Sequence, residues 1–158
     1  MLPSSQTARM AETEHRVHLT IAQWIFVASG AWLIALGLYF TLLRPALLPE
    51  DAHFMGSSVA QIEAALPAMV AWLRHVFIVL GGFMIASGVL TAWLAITVIG
   101  ERRRGTAIVL FIAGAAGVVT MSLTNVAINS AFKWVLVVPA LVWSVGIVAY
   151  LREDGRRP

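Results

Sequence analysis

Arg74 and His75 stand side by side directly before a long apolar run, and Asn125 and Asn129 lie four residues apart in another. If both runs are antiparallel helices, a spacing of four puts the asparagines on one helix face. They then share a depth with Arg74 and His75, and also with Arg44, Glu50, Asp51, His53 and Lys133. Such a cluster has two readings. It is a hydrogen-bonded cap over the helix ends, or a ligand site formed by Arg74, His75, Asn125 and Asn129 for a lipid, a quinone or a small anion. Within it, Arg74 is expected to act as an interfacial anchor beside Trp72, its charge snorkelling toward headgroups. His75 is expected to hydrogen-bond Asn125 or Asn129.

Other chemistry-bearing residues point to less. Haem needs two axial ligands facing each other at one depth. Of the four histidines, His15 and His18 precede the first span on one side, while His53 and His75 fall on the other, where His53 is in a loop. Glu14, His15 and His18 are metal-ligand types, but they have no fourth partner and no His-Glu-x-x-His pattern. No cofactor and no metal site is therefore expected. The absence of cysteine removes disulfides, thiolate metal sites and cysteine nucleophiles together. Arg102, Arg103 and Arg104 form a basic run that sets topology, and they are also candidates to hold anionic lipid headgroups. No Asp, Glu, Lys or Arg lies centrally in an apolar run, so the charges typical of proton relays and ion pathways are missing. The expectation is a non-enzymatic protein.

The elements that must position these residues follow from composition. Of 158 residues, 59% are hydrophobic and only 12% charged, and the mean hydropathy is +0.84. Soluble domains carry about twice that share of charge. The arginines lie in short clusters beside apolar runs, which is not a nucleic-acid footprint. Four runs, about 19–43, 76–99, 106–129 and 134–151, are each long enough to cross a hydrocarbon core of roughly 30 Å as a helix. The expectation is a single all-α membrane domain over 1–158, an up-and-down four-helix bundle. Pro139 is expected to kink the fourth span. The polar segment before the first span, with Glu12 and Glu14, argues against a cleavable signal peptide.

Arginine distribution sets the expected orientation. Arg9, Arg16, Arg102, Arg103, Arg104, Arg152, Arg156 and Arg157 fall on one side, against Arg44, Arg74 and Lys133 on the other. The positive-inside rule then places both termini in the cytoplasm of a bacterial cell, with the protein in the inner membrane. Residues 44–75 form the outer loop. In it Ser58 and Gln61 have capping-box spacing, and Val59, Ile62 and Leu66 recur at helical spacing, so a short surface helix is expected, ending at Pro67. It is either a cover or a lid. Small residues four apart (Ala31 and Ala35, Gly82 and Ala86, Gly88 and Ala92, Ala113 and Gly117, Ala140 and Ser144) suggest close helix approach in all four spans. Gln23 is expected to make an interhelical hydrogen bond.

Four spans, an outer loop after the first, and the segments "LRPALLPED" and "WLRHVFIVLGGFMIASGVLTAWLA" together resemble the small bacterial membrane proteins of DoxX-like architecture. The resemblance covers nearly the whole chain and is architectural. It implies the four-helix plan and carries no functional residue with it. The signature of glutathione-linked four-helix enzymes is not recognisable in "GERRRGTAIV". Two functions follow as expectations. One is an accessory or assembly subunit whose partners are the lipid bilayer and another membrane subunit or a second copy of itself. The other is a lipid- or quinone-binding subunit serving an oxidoreductase, with its polar site at the outer ends of the second and third helices.

Overall fold

The structure, a computed structural model, describes residues 19–154. Four helices among them are long and apolar enough to cross a membrane. The protein is an all-α, four-helix membrane protein, as its composition predicts. Helix α1 (Ile21–Leu38) opens on a Thr20 capping box with Gln23 and continues as a π-helical turn, Tyr39–Leu43. Two short helices follow, α2 (Pro49–Phe54) and α3 (Val59–Ala65). The second long helix is α4 (Pro67–Thr97). The third span is α5 (Thr106–Gly114), a π-helical turn (Ala115–Val119) and α6 (Thr120–Ala127). The fourth is α7 (Lys133–Asp154).

Two boundaries differ from the sequence expectation, each for a local reason. The second span begins at Pro67, not at residue 76, so the loop is 44–66. Pro67 separates α3 from α4, the break expected of it, and it also starts α4, because proline lacks the N–H that the first helical turn leaves unpaired anyway. Arg74 and His75 consequently lie two turns inside α4. The loop also carries two short helices rather than one. The expected one is α3, which starts on the Ser58–Gln61 capping box. The other, α2, starts at Pro49, and Asp51 Oδ2 accepts from Leu48 N at 2.9 Å. Both pack through Leu47, Ala52 and Ile62 against the first turns of α4.

The closest packing in the molecule is between α1 and α4. A Cβ on Gly30 would stand 2.6 Å from Gly88 O, and one on Gly37 would stand 2.6 Å from Gly81 O. The reciprocal contacts are equally short, so glycine meets glycine across an antiparallel pair. Gly30 and Gly37 are seven apart, as are Gly81 and Gly88. Gln23 extends the same register by another seven, donating from Nε2 to Ala95 O at 3.0 Å. This is the interhelical bond expected of Gln23. A repeat of seven keeps one seam in contact along two antiparallel helices. In lipid, where apolar surface has no water to escape, such close van der Waals approach is a main source of helix association. Of the four-spaced pairs, Gly88 with Ala92 lies in this seam, whereas Gly82 and Gly117 have no neighbour within 4 Å.

The packing order across the molecule is α4, α1, α7, then the third span. Phe26 of α1 and Trp143 of α7 form the centre, edge to face at 5.1 Å. Trp143 Nε1 donates to Leu110 O at 2.9 Å, tying α7 to α5. Ser122 Oγ lies 2.7 Å from Val118 O and 2.6 Å from Leu136 O. Leu136 is three residues before Pro139, so this bond ties the third span to the turn of α7 that the proline interrupts. By contrast, α4 and the third span make no extended contact, although a turn of a few residues joins them.

Candidate functional site

The sequence-selected cluster does not assemble. Arg74 and His75 are both exposed, and His75 Nδ1 lies 2.9 Å from Ala71 O of its own helix. Asn125 Nδ2 donates to Met121 O, also within its own helix. Asn129 is beyond the end of α6, in the left-handed region at φ 54°, and its Oδ1 accepts from Lys133 Nζ. Asparagine is one of the few residues that tolerates that conformation after a helix. So the helix that would have put both asparagines on one face ends between them. The expected bond from His75 to Asn125 or Asn129 is absent, because α4 is not packed against the third span.

Arg44, one of the neighbours of that cluster in the sequence reading, is the centre instead. The π-helical turn at the end of α1 delivers it inward, and only 8% of it is exposed. Its guanidinium lies 3.6 Å from the centroid of the Phe77 ring and 5.4 Å from that of Phe40. Nη1 donates to Pro45 O at 2.9 Å and Nη2 to Asp51 Oδ2 at 3.1 Å. Stacking on rings and pairing with a carboxylate are what a planar guanidinium does better than an ammonium. Beside it, Glu50 reaches across the fold. Oε1 accepts from Ser130 Oγ at 3.0 Å and Oε2 from Ala131 N at 2.8 Å. These bonds fasten α2 to the turn between the third and fourth spans.

Two cavities meet at Arg44. One, a chamber of about 260 Å³, lies under α2 and is lined by Trp32, Tyr39, Glu50, Asp51 and Phe132. The other is a cleft of about 770 Å³ between α4 and the third span. Phe77, Phe83, Ser87 and Thr91 line it on one side and Ala113, Gly117, Thr120 and Thr124 on the other, with Leu33 and Trp143 at its base. Phe40, Arg44, Met121 and Asn125 line both cavities.

Three of the four hydroxyls that line the cleft are unpaired. Most serines and threonines of the spans, Thr120 of the cleft among them, bond back to a carbonyl of their own helix: Ser29 to Ile25, Thr41 to Gly37, Thr97 to Trp93, Thr120 to Ala115, Ser144 to Ala140. Such bonds hide the donor from lipid. The hydroxyls of Ser87, Thr91 and Thr124 have no hydrogen bond among the described residues, and all three line the cleft. An unpaired hydroxyl in an apolar medium costs about 1–3 kcal/mol.

The opposite end of the molecule is closed. Arg102, in the left-handed region at φ 51°, turns inward with 8% of its side chain exposed. It donates to Tyr150 O and to Glu153 Oε2, each at 2.7 Å, and lies over the Tyr150 ring. Glu153 Oε1 also accepts from Ala22 N at 3.2 Å. Arg102 thus fastens the start of α1, the turn after α4 and the end of α7, rather than reaching outward. Arg103 pairs with Glu101 in the open, and Arg104 is exposed, so these two remain available to headgroups. Glu14, His15 and His18 lie outside the described residues. Among those described, no three metal-ligating side chains gather.

No family model, curated protein or solved structure matches the chain.

Proposed function

We propose that this membrane protein binds an amphiphile, a membrane lipid or an isoprenoid quinone, in the cleft between α4 and the third span. The observation that carries this reading is the set of unpaired hydroxyls. Three polar groups without partners face one apolar cleft, and that cleft ends at a buried arginine. An apolar chain would fill the cleft, and a polar head or linkage would satisfy Ser87, Thr91 and Thr124. Of the two functions expected from the sequence, this favours a ligand-binding subunit, with Arg44 in the place assigned to Arg74. The arginine distribution supports a bacterial inner-membrane location with both termini cytoplasmic, which puts Arg44 on the outer side. A Ser57→Cys variant should then react with a membrane-impermeant thiol reagent in intact cells, and a Gly155→Cys variant should not.

Two glycines test the binding claim, because both face open space: Gly117 in the cleft and Gly82 away from it. Protein purified in mild detergent should retain an amphiphile in native mass spectrometry. Gly117→Leu should lose it, with unchanged Tm, while Gly82→Leu keeps it. Equal retention in the two variants would refute the cleft as the site.

A further inference from the structure

The shared wall between chamber and cleft selects the ligand's head, an inference that rests on the cleft reading. We infer that the preferred amphiphile is a zwitterionic phospholipid with a primary ammonium. Its chains occupy the cleft, its phosphate meets Arg44, and its ammonium enters the chamber.

Charge decides between head types. The chamber sets two carboxylates, Glu50 and Asp51, against one guanidinium, Arg44. Asp51 pairs with Arg44. Glu50 has only neutral donors, the Ser130 hydroxyl and the Ala131 N–H, and no cation pairs with it among the described residues. The lining therefore has one more carboxylate than cations, a balance that favours a cation and disfavours an anion. An anionic head would set its charge against Glu50 and Asp51. A neutral head would leave Glu50 uncompensated. A cation alone would leave the rest of Arg44 idle, since Pro45 O and Asp51 Oδ2 use only part of its donor fork.

A phosphate followed by an ammonium matches both halves of the wall. The phosphate oxygens accept from the unspent guanidinium N–H groups, a charge-assisted contact of the kind arginine makes best. The ammonium then lies among Glu50, Asp51 Oδ1, which accepts no bond among the described residues, and the rings of Trp32 and Tyr39. Aromatic faces attract a cation, and carboxylates accept its N–H protons. A primary ammonium uses both, whereas a quaternary one has no proton to donate.

The test is competition for the purified protein in nanodiscs made with equal parts of phosphatidylethanolamine, phosphatidylcholine and phosphatidylglycerol, reading retained lipid by native mass spectrometry. Wild type should retain the ethanolamine lipid over the glycerol lipid by roughly tenfold, the worth of one charged contact. Glu50→Gln keeps the shape and an acceptor for Ser130, and it should abolish that preference. Asp51→Asn, which can still accept from Leu48 N, provides the same readout if Glu50→Gln unfolds. Preference for the glycerol lipid in wild type, or an unchanged preference in both variants, would overturn the inference. Lipid retained without any head preference defeats this inference alone. Failure of wild type to retain any amphiphile defeats the cleft reading beneath it.

Discussion

Helix α4 has two flanks, and they are built differently. Toward α1 it presents Gly81 and Gly88 against Gly37 and Gly30, with backbones so close that a methyl group cannot enter. Toward the third span it presents Phe83, Ser87 and Thr91 across a cleft of about 770 Å³. The same helix is locked on one side and parted on the other. Glycine permits approach, and it is the seven-residue repeat, rather than glycine itself, that turns permission into a continuous seam. Gly117 shows the converse, being a glycine that faces nothing.

Substitutions break this comparison in a graded way. The largest loss of stability is expected from Gly37→Leu or Gly81→Leu. Each forces side-chain atoms against backbone, at the upper end of the roughly 1–3 kcal/mol of overpacking, so Tm in detergent should fall by many degrees. Next comes Arg102→Ala, which removes one donor each from Glu153 and the Tyr150 carbonyl, Glu153 keeping only its bond from Ala22 N. About 2 kcal/mol is expected, less than for a fully enclosed pair because Glu153 is partly exposed, read again as a drop in Tm. Gly117→Leu should leave stability level or raise it slightly while emptying the cleft, so loss of Tm together with loss of ligand would show the cleft to be a packed interface. The smallest effects belong to Arg74→Lys and His75→Ala, which should stay within about a degree of wild type, since neither side chain reaches another helix and exposed contacts contribute about 0–1 kcal/mol.

The four spans and the all-α plan were legible because a helix in lipid must be long and apolar, and that requirement is written residue by residue. So was α3, whose cap is a local pattern, and so was the interhelical bond of Gln23. What local patterns do not encode is the order of helices across a bundle. Up-and-down connection alone seemed to bring Arg74, His75, Asn125 and Asn129 together, yet α1 and α7 stand between α4 and the third span. The glycine seam is not a four-residue pattern: its glycines lie seven apart on each helix, and only the partner helix gives that spacing meaning. In the sequence Arg44 is only a neighbour of the polar cluster. Its inward turn depends on the π-helical turn at Tyr39–Leu43, which inserts a residue into the helical register with no local sequence pattern to announce it. Arg102 looked like its two exposed neighbours until its left-handed backbone turned it inward.

The central claim, that α4 and the third span stand apart around a bound amphiphile, can be tested by one distance. The chain has no cysteine, so spin labels on Gly82→Cys in α4 and Leu123→Cys in α6 report cleanly, both sites being exposed. Double electron–electron resonance in lipid nanodiscs should give one population at the parted spacing, shortening or broadening when lipid is stripped away. A single short distance in lipid, with the two spans at the ~8–10 Å axial separation of packed helices, would contradict the account.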